Sequence, residues 1–403
     1  MLCADGTCNA FGQSSSNVAK LIEHLDLSDE TLQVAAYDQG LGTRADQFAA
    51  IRGFQKKLAR PQALHPLPPP HESVWKPWTW AALIDSMTKG RGLDRNVGQL
   101  YFKLAELYNP GDAVYLFGFS RGAFTVRALA GLTWHYGVPP TNDIAVAKSC
   151  FESAWPLFCA EFPDPTGIKT RISCEYQQRF GQRRCPIHFF GLWDTVKSYG
   201  GLEPVMLPHL RHNPSVHTVR HALALDERRA WFEPTTWGWL DSDRSSGAAA
   251  SRLSAADIAV IREQDVAEVW FRGCHSDVGG GVRDAGTSDI ALRWMLGEAK
   301  CAGLHLNEKG RHCLSVPREA ELPKPTDSHS PIWRLIERIR RQSIDNGGAW
   351  PVSIAAPLGA VAREPMKSTR DGKVWVHESV MDLSRFNCAP AGISVETRRT
   401  RRS

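Results

Sequence analysis

The feature that most restricts the fold is a five-residue turn, Gly118-Phe119-Ser120-Arg121-Gly122. It joins the apolar run AVYLF (113–117) to AFTVRALAGL (123–132), a stretch of helical composition. Five apolar residues are strand length, and the following stretch is long enough for several helical turns. The chain therefore passes from strand to helix through a turn so tight that side chains at 118 and 122 would collide, and glycine stands at both. Such a turn puts Ser120 on strained backbone and pushes its hydroxyl out toward solvent. The helix starting there offers its first N–H groups and the positive end of its dipole to the same space. G-x-S-x-G alone is a weak string; the flanking strand and helix give it meaning. The plain alternative is a glycine-rich βα turn with a capping serine.

Apolar runs and helix-like stretches alternate along the rest of the chain. The runs Met1–Ala4, Leu32–Tyr37, Ala113–Phe117, Ile187–Leu192 and Val266–Phe271 read as strands. Asn17–Leu27, Asn96–Tyr108, Ala123–Tyr136, Val219–Phe232 and Asp289–Ala302 read as helices. That order predicts an α/β fold, a doubly wound and mostly parallel sheet with helices on both faces. With 403 residues, 42% of them hydrophobic, the chain has enough apolar side chain for a large core. A single domain over 1–403 is expected, with cap or lid insertions within 60–90, 140–183, 205–262 and 315–370. The segment Pro61–Trp80 gathers Pro66, Pro68, Pro69, Pro70 and Pro77 beside Trp75, Trp78 and Trp80, so it forms no regular helix. It reads as a packed surface loop or as part of a lid beside a cleft. The first strand is short before Asp5, and an upstream start is expected.

Composition excludes several classes. Lys and Arg number 48 against 43 Asp and Glu, a net charge of +5, too mild to mark a nucleic-acid binder. Four arginines crowd the last six residues, Arg398 to Ser403, and read as a solvated tail. The ten cysteines are scattered singly, with no C-x-x-C pair, so neither a metal nor a cofactor is expected and a reducing compartment fits. No signal peptide and no run of ~18 apolar residues is found, which predicts a soluble product, cytoplasmic as synthesised.

A serine at its ordinary pKa is a poor nucleophile and needs a base, itself oriented by a carboxylate. Asp194 follows the run IHFFGLW, and His275 follows VWFRGC, so both fall at strand ends. The chain order Ser120, Asp194, His275 is that of an α/β-hydrolase. Asp277 is a rival acid and His377 a rival base, while His221 reads as a helix-capping or packed residue. Gly279, Gly280 and Gly281 lack the spacing of a phosphate loop and read as a tight bend. One oxyanion donor is the N–H of Arg121, and the second is sought at Gly6 or Thr7, where a plain turn around Asp5 is the alternative. A carboxylate beside the imidazole is expected to move its pKa up from the usual ~6.5.

Five blocks in order, CADGTCN (3–9), YDQGLGT (37–43), NPGDAVYLFGFSRGAFTVRALAGL (109–132), FFGLWDTVKSYGG (189–201) and VWFRGCHSDVGGG (269–281), carry a resemblance. They are similar to the DUF2235 family, the catalytic domain of Tle1-type phospholipase effectors of type VI secretion. HALALDERRAWFEP (221–234) and VHESV (376–380) are further family-like segments. The resemblance implies an α/β-hydrolase fold and phospholipase A-like hydrolysis of lipid esters without a cofactor. By motif it makes Ser120 the nucleophile, Asp194 the acid and His275 the base. It also implies a lipid or other ester substrate, contact with a membrane surface, delivery as a secreted effector, and a secretion-apparatus or immunity protein as partner. Cys8 and Val282 depart from the family pattern.

Overall fold

The computed structural model describes residues 1–6, 15–38, 49–50, 92–160, 168–196, 207, 209–229, 231–237, 254–281, 286–315, 325–328, 341–343, 352–354, 363, 373–380 and 394–398. Its strands are β1 (Leu2–Ala4), β2 (Ala36–Asp38), β3 (Ala49–Ala50), β4 (Val114–Phe119), β5 (Ile187–Trp193), β6 (Val216–Ala224), β7 (Asp265–Phe271), β8 (Arg341–Ser343), β9 (Val352–Ile354), β10 (Lys373–His377) and β11 (Ser394–Arg398). Among the described residues nine strands form one sheet in the order β11-β10-β7-β6-β5-β4-β1-β2-β3, and β8 pairs with β9 apart from it. Every neighbouring pair in the large sheet is parallel except β2 with β3.

This order places the site. The chain starts at β1, moves outward to β2 and β3, then returns to lay β4 on the other flank of β1. In open parallel sheets such a reversal of strand order, at the carboxyl ends of the flanking strands, is where sites are built. Asp5 and Ser120 are the first residues past those ends.

Side chains alternate across β4. Val114 and Leu116 join the core beneath the helices Leu93–Leu107 and Arg121–Tyr136, while Tyr115, Phe117 and Phe119 join the core beneath Asn17–Glu23 and Gly286–Cys301. Both faces are thus apolar, as a parallel sheet requires. Trp193 and Trp294 are among the largest fully buried side chains, each contributing on the order of 2–3 kcal/mol by burial. Helix starts follow from local chemistry. Ser16 Oγ accepts the Ala19 N–H at 3.2 Å, and Ser254 with Asp257 forms a reciprocal cap on Ala255–Glu263.

Two expectations need correction. Val219–Phe232 is not a helix; its first half belongs to β6, hydrogen-bonded between β5 and β7. The 205–262 stretch therefore supplies a central strand and is not simply an insertion. A strand covered on both faces shows no period-two alternation, and its buried Arg220 and His221, paired with Glu298 and Glu268, give the segment a helix-like polar content. The 140–183 stretch holds the helices Ile144–Ala160 and Ile168–Phe180, which pack on the core helices through Phe151 against Tyr101 (5.8 Å between centroids) and Tyr176 against Tyr136 (5.2 Å). The Pro61–Trp80 segment and residues 399–403 lie outside the described residues. Among the described residues no helix is long and apolar enough to cross a membrane.

Candidate active site

Ser120 caps β4 with φ 57° and ψ −123°, a conformation that side chains rarely adopt and that costs of order 1–3 kcal/mol. Its N–H donates to the Trp193 carbonyl at 3.0 Å, and its own carbonyl accepts from Phe124 N–H at 3.3 Å. A Cβ at Gly118 would stand 2.6 Å from Ala123 Cα, and one at Gly122 would meet the carbonyls of Ala4 and Asp5. The two glycines let the helix Arg121–Tyr136 start directly against β1 and β4. Ser120 is only 6% exposed, so the hydroxyl is turned out of the packed layers but is not open to solvent as expected.

What it meets is His275. The Ser120 hydroxyl lies 2.8 Å from Nε2, and Nδ1 lies 2.6 Å from Asp194 Oδ2. A carboxylate only accepts, so Nδ1 carries the proton and Nε2 is left to accept from the serine. The imidazole packs between Phe119 (4.6 Å between centroids) and Phe232 (4.9 Å). His275 opens the short helix His275–Gly279 past β7, and its N–H donates to Glu227 Oε2 at 3.1 Å. Asp226 Oδ2 accepts the Gly273 N–H at 2.7 Å. The loop after β6 thus fastens the histidine loop at two points, with Arg229 clamping Glu227 at 2.8 Å.

Asp194, past β5, is fully buried with φ 38°. Its N–H donates to the Ala222 carbonyl at 2.7 Å, and Oδ1 accepts the Ala224 N–H at 2.9 Å. Arg363 grips both carboxylate oxygens, Nη1 to Oδ1 at 2.5 Å and Nη2 to Oδ2 at 3.0 Å. The same guanidinium donates to the carbonyls of Ala224 at 2.7 Å and Phe232 at 2.5 Å. Burial alone would raise the Asp194 pKa; Arg363 and His275 outweigh it and hold the carboxyl below the usual carboxylate range. Burial likewise dominates at His275, lowering its pKa despite the bond to Asp194. The upward shift expected from the carboxylate alone is therefore corrected. Glu227 is also buried, yet Arg229 brings its carboxyl down to about 2.

The remaining candidates sit elsewhere. Asp277 accepts from Cys274 N–H (3.0 Å) and from Thr326 N–H and Oγ1 (2.8 and 2.7 Å), bracing its loop. His377, on β10, stacks on Phe271 at 4.5 Å and bonds Ser379. His221 is a buried strand residue, accepting the Thr195 N–H at Nε2 (3.1 Å) and paired through Nδ1 with Glu268 (2.7 Å); it caps no helix. At the glycine run, Gly280 bridges to Ser16, and a Cβ at Gly279 would strike the Phe119 ring. The Gly6 N–H is turned to Asp5 Oδ1 at 2.6 Å, so it is not directed at an oxyanion. Asp5 Oδ2 also accepts from Ser16 Oγ (2.6 Å) and Tyr37 OH (2.5 Å), which is the plain turn weighed above. Thr7 lies outside the described residues. Arg121 begins the helix after Ser120, where first-turn N–H groups have no acceptor within the helix. Sequence reasoning missed Glu227, although its block DERRAWFEP was singled out, and missed Arg363, for which the sequence carries no motif.

The family described as "T6SS, Phospholipase effector Tle1-like, catalytic domain" matches residues 1–298. The chain is 30% identical over 235 residues to uncharacterized protein YEL023C of Saccharomyces cerevisiae (strain ATCC 204508 / S288c), covering 58% of this chain and 32% of that protein. The crystal structure of an uncharacterized protein from Pseudomonas aeruginosa aligns with a TM-score of 0.41 and 20% identity over 78% of this chain and 48% of that one. The chain thus spans less than half the length of either relative. With well over half of its residues matched, the chain belongs to the family of Tle1-like phospholipase effector catalytic domains of type VI secretion.

Proposed function

We propose that the chain hydrolyses carboxylic esters of lipids as a serine hydrolase of phospholipase A type. The observation that carries this reading is the unbroken row of contacts from Ser120 Oγ through His275 to Asp194, and family membership supplies lipid as the substrate class. Ser120 Oγ attacks the acyl carbonyl while His275 Nε2 takes its proton, and Asp194 holds the imidazolium that forms. The tetrahedral oxyanion is met by the Arg121 N–H and by a second donor from the loop after β1, for which Thr7 is the proposed source. Such a donor is worth about 10²–10³ in rate. His275 then protonates the leaving alcohol, the acyl-enzyme forms, and a water activated by the same imidazole releases the fatty acid. A secretion-apparatus or immunity partner is proposed on family membership alone.

A fluorophosphonate probe followed by peptide mapping tests the nucleophile, and a phospholipid panel read by mass spectrometry tests the substrate and the acyl position cut. Labelling at Ser120, abolished in Ser120→Ala together with fatty-acid release, is the expected result. Labelling elsewhere in folded protein overturns the mechanism. Activity on soluble esters with none on any lipid overturns the substrate class.

A further inference from the structure

We propose that Arg363 is a positioning residue for the hydrolytic site, holding the Asp194 carboxylate by both oxygens so that it stays aimed at His275. The inference rests on the serine-hydrolase reading above and adds to it a residue beyond the family-matched segment, which ends at residue 298.

The geometry is that of a saturated carboxylate. Asp194 Oδ1 accepts from Ala224 N–H and Arg363 Nη1, and Oδ2 accepts from His275 Nδ1 and Arg363 Nη2. Two donors per oxygen use the lone pairs of an ionised carboxylate and leave no alternative partner to draw it away. The guanidinium is fixed in turn by the carbonyls of Ala224 and Phe232. Those carbonyls are at the end of β6 and beside the imidazole, because the Phe232 ring packs on His275. A planar fork with four acceptors tolerates one orientation, which a lysine cannot reproduce. Without the fork, Asp194 would be a buried anion lacking its cation, a costly state that is relieved when His275 takes a proton and becomes its counter-ion.

The charge also acts on the base. The groups facing His275 are Asp194 at the end of β5, Ser120 at the end of β4, and Glu227 with its partner Arg229 in the loop after β6; Arg363 reaches it through Asp194. Of these, Asp194 and Glu227 favour the imidazolium and Arg229 opposes it. Arg363 neutralises the carboxylate that favours it most. Removing Arg363 therefore makes His275 easier to protonate, and the neutral base is lost at higher pH.

The experiment measures kcat and KM against pH for wild type, Arg363→Gln and Arg363→Lys. Active sites are counted by fluorophosphonate labelling and folding by thermal melts. Arg363→Gln is expected to lower kcat by about 10- to 100-fold with little change in KM, and to move the acid limb up by about one pH unit. Arg363→Lys should keep the limb near its wild-type position and still lose kcat, since it keeps the charge and loses the fork. In a third variant, Arg363→Ala, added guanidinium ion should restore part of the rate, and it should restore none in Ser120→Ala. An acid limb unmoved in Arg363→Gln, or kcat per labelled site equal to wild type in both variants, overturns the proposal. If Arg363→Gln does not fold, Arg363→Lys decides: a wild-type kcat per labelled site overturns the proposal, and a lowered kcat per labelled site at an unchanged melting temperature supports it. Retained hydrolysis in Ser120→Ala would instead overturn the underlying serine-hydrolase reading.

Discussion

Ser120 combines a strained backbone with the nucleophilic role proposed for it, and one substitution separates the two. Ser120→Ala removes a single oxygen and one hydrogen bond to His275 while the turn keeps its glycines. Stability should change by no more than about 1 kcal/mol, whereas ester turnover falls by roughly 10⁴–10⁶. Melting curves beside rate assays on the same samples check both halves. The histidine gives the second prediction at this scale. Proton abstraction needs neutral imidazole, and burial lowers the pKa of His275 below its ordinary value. The acid limb of kcat/KM should thus lie below the usual histidine value of ~6.5, with activity steady through neutral pH and lost on acidification below that point. A limb above ~7 would contradict the lowered pKa, and a rate flat down to pH 4 would contradict histidine as base. The sequence made the residue identities legible but not this direction, because a neighbouring carboxylate is visible in a motif and desolvation by Phe119 and Phe232 is not. Arg363 was illegible for a related reason: its partner is 169 residues away in the chain.

Elements decide whether those residues meet, and the meeting of β1, β4 and the helix Arg121–Tyr136 is the most sensitive junction. A methyl group at Gly122 would press on the carbonyls of Ala4 and Asp5, backbone atoms that have nowhere to move inside a paired strand. Gly122→Ala is predicted to cost about 2–3 kcal/mol, seen as a lower urea midpoint with an unchanged slope. A midpoint equal to wild type would mean that the helix start can slide. Legibility varied among the elements for physical reasons. The strand-turn-helix around Ser120 was readable because steric need writes itself as glycine. The helix Arg121–Tyr136 was placed to within two residues, by apolar content and flanking signals. β6 was misread as a helix because a strand buried on both faces has no alternation. Its polar residues, Arg220 and His221, find their carboxylate partners on other elements, Arg220 in Glu298 and Asp265 and His221 in Glu268.

At the scale of the whole molecule, the parallel sheet was legible from the alternation of elements, while the reversal of strand order between β1 and β4 was fixed only by pairing. What the molecule acts on is decided outside that frame, and here the tryptophans of the proline-rich segment give the last prediction. Trp75, Trp78 and Trp80 fall within six residues, lie outside the described residues, and have the chemistry of a water–lipid boundary, an apolar body with one N–H that stays hydrated. Lys76 stands among them and Lys89 and Arg91 follow, each worth about 1 kcal/mol near an anionic surface. If this segment docks on lipid, hydrolysis should rise sharply as phospholipid passes from monomers to vesicles, and rise further when the vesicles carry anionic headgroups. Replacing Trp75 and Trp78 by alanine should remove most of that gain while a short soluble ester is still cleaved near the wild-type rate. Salt should erode the anionic increment and leave the rate on neutral vesicles unchanged, since screening acts on the lysines and arginine and not on the rings. Equal losses on vesicle and soluble ester would instead assign the tryptophans to packing, and a lipid preference would then have to come from groups closer to Ser120.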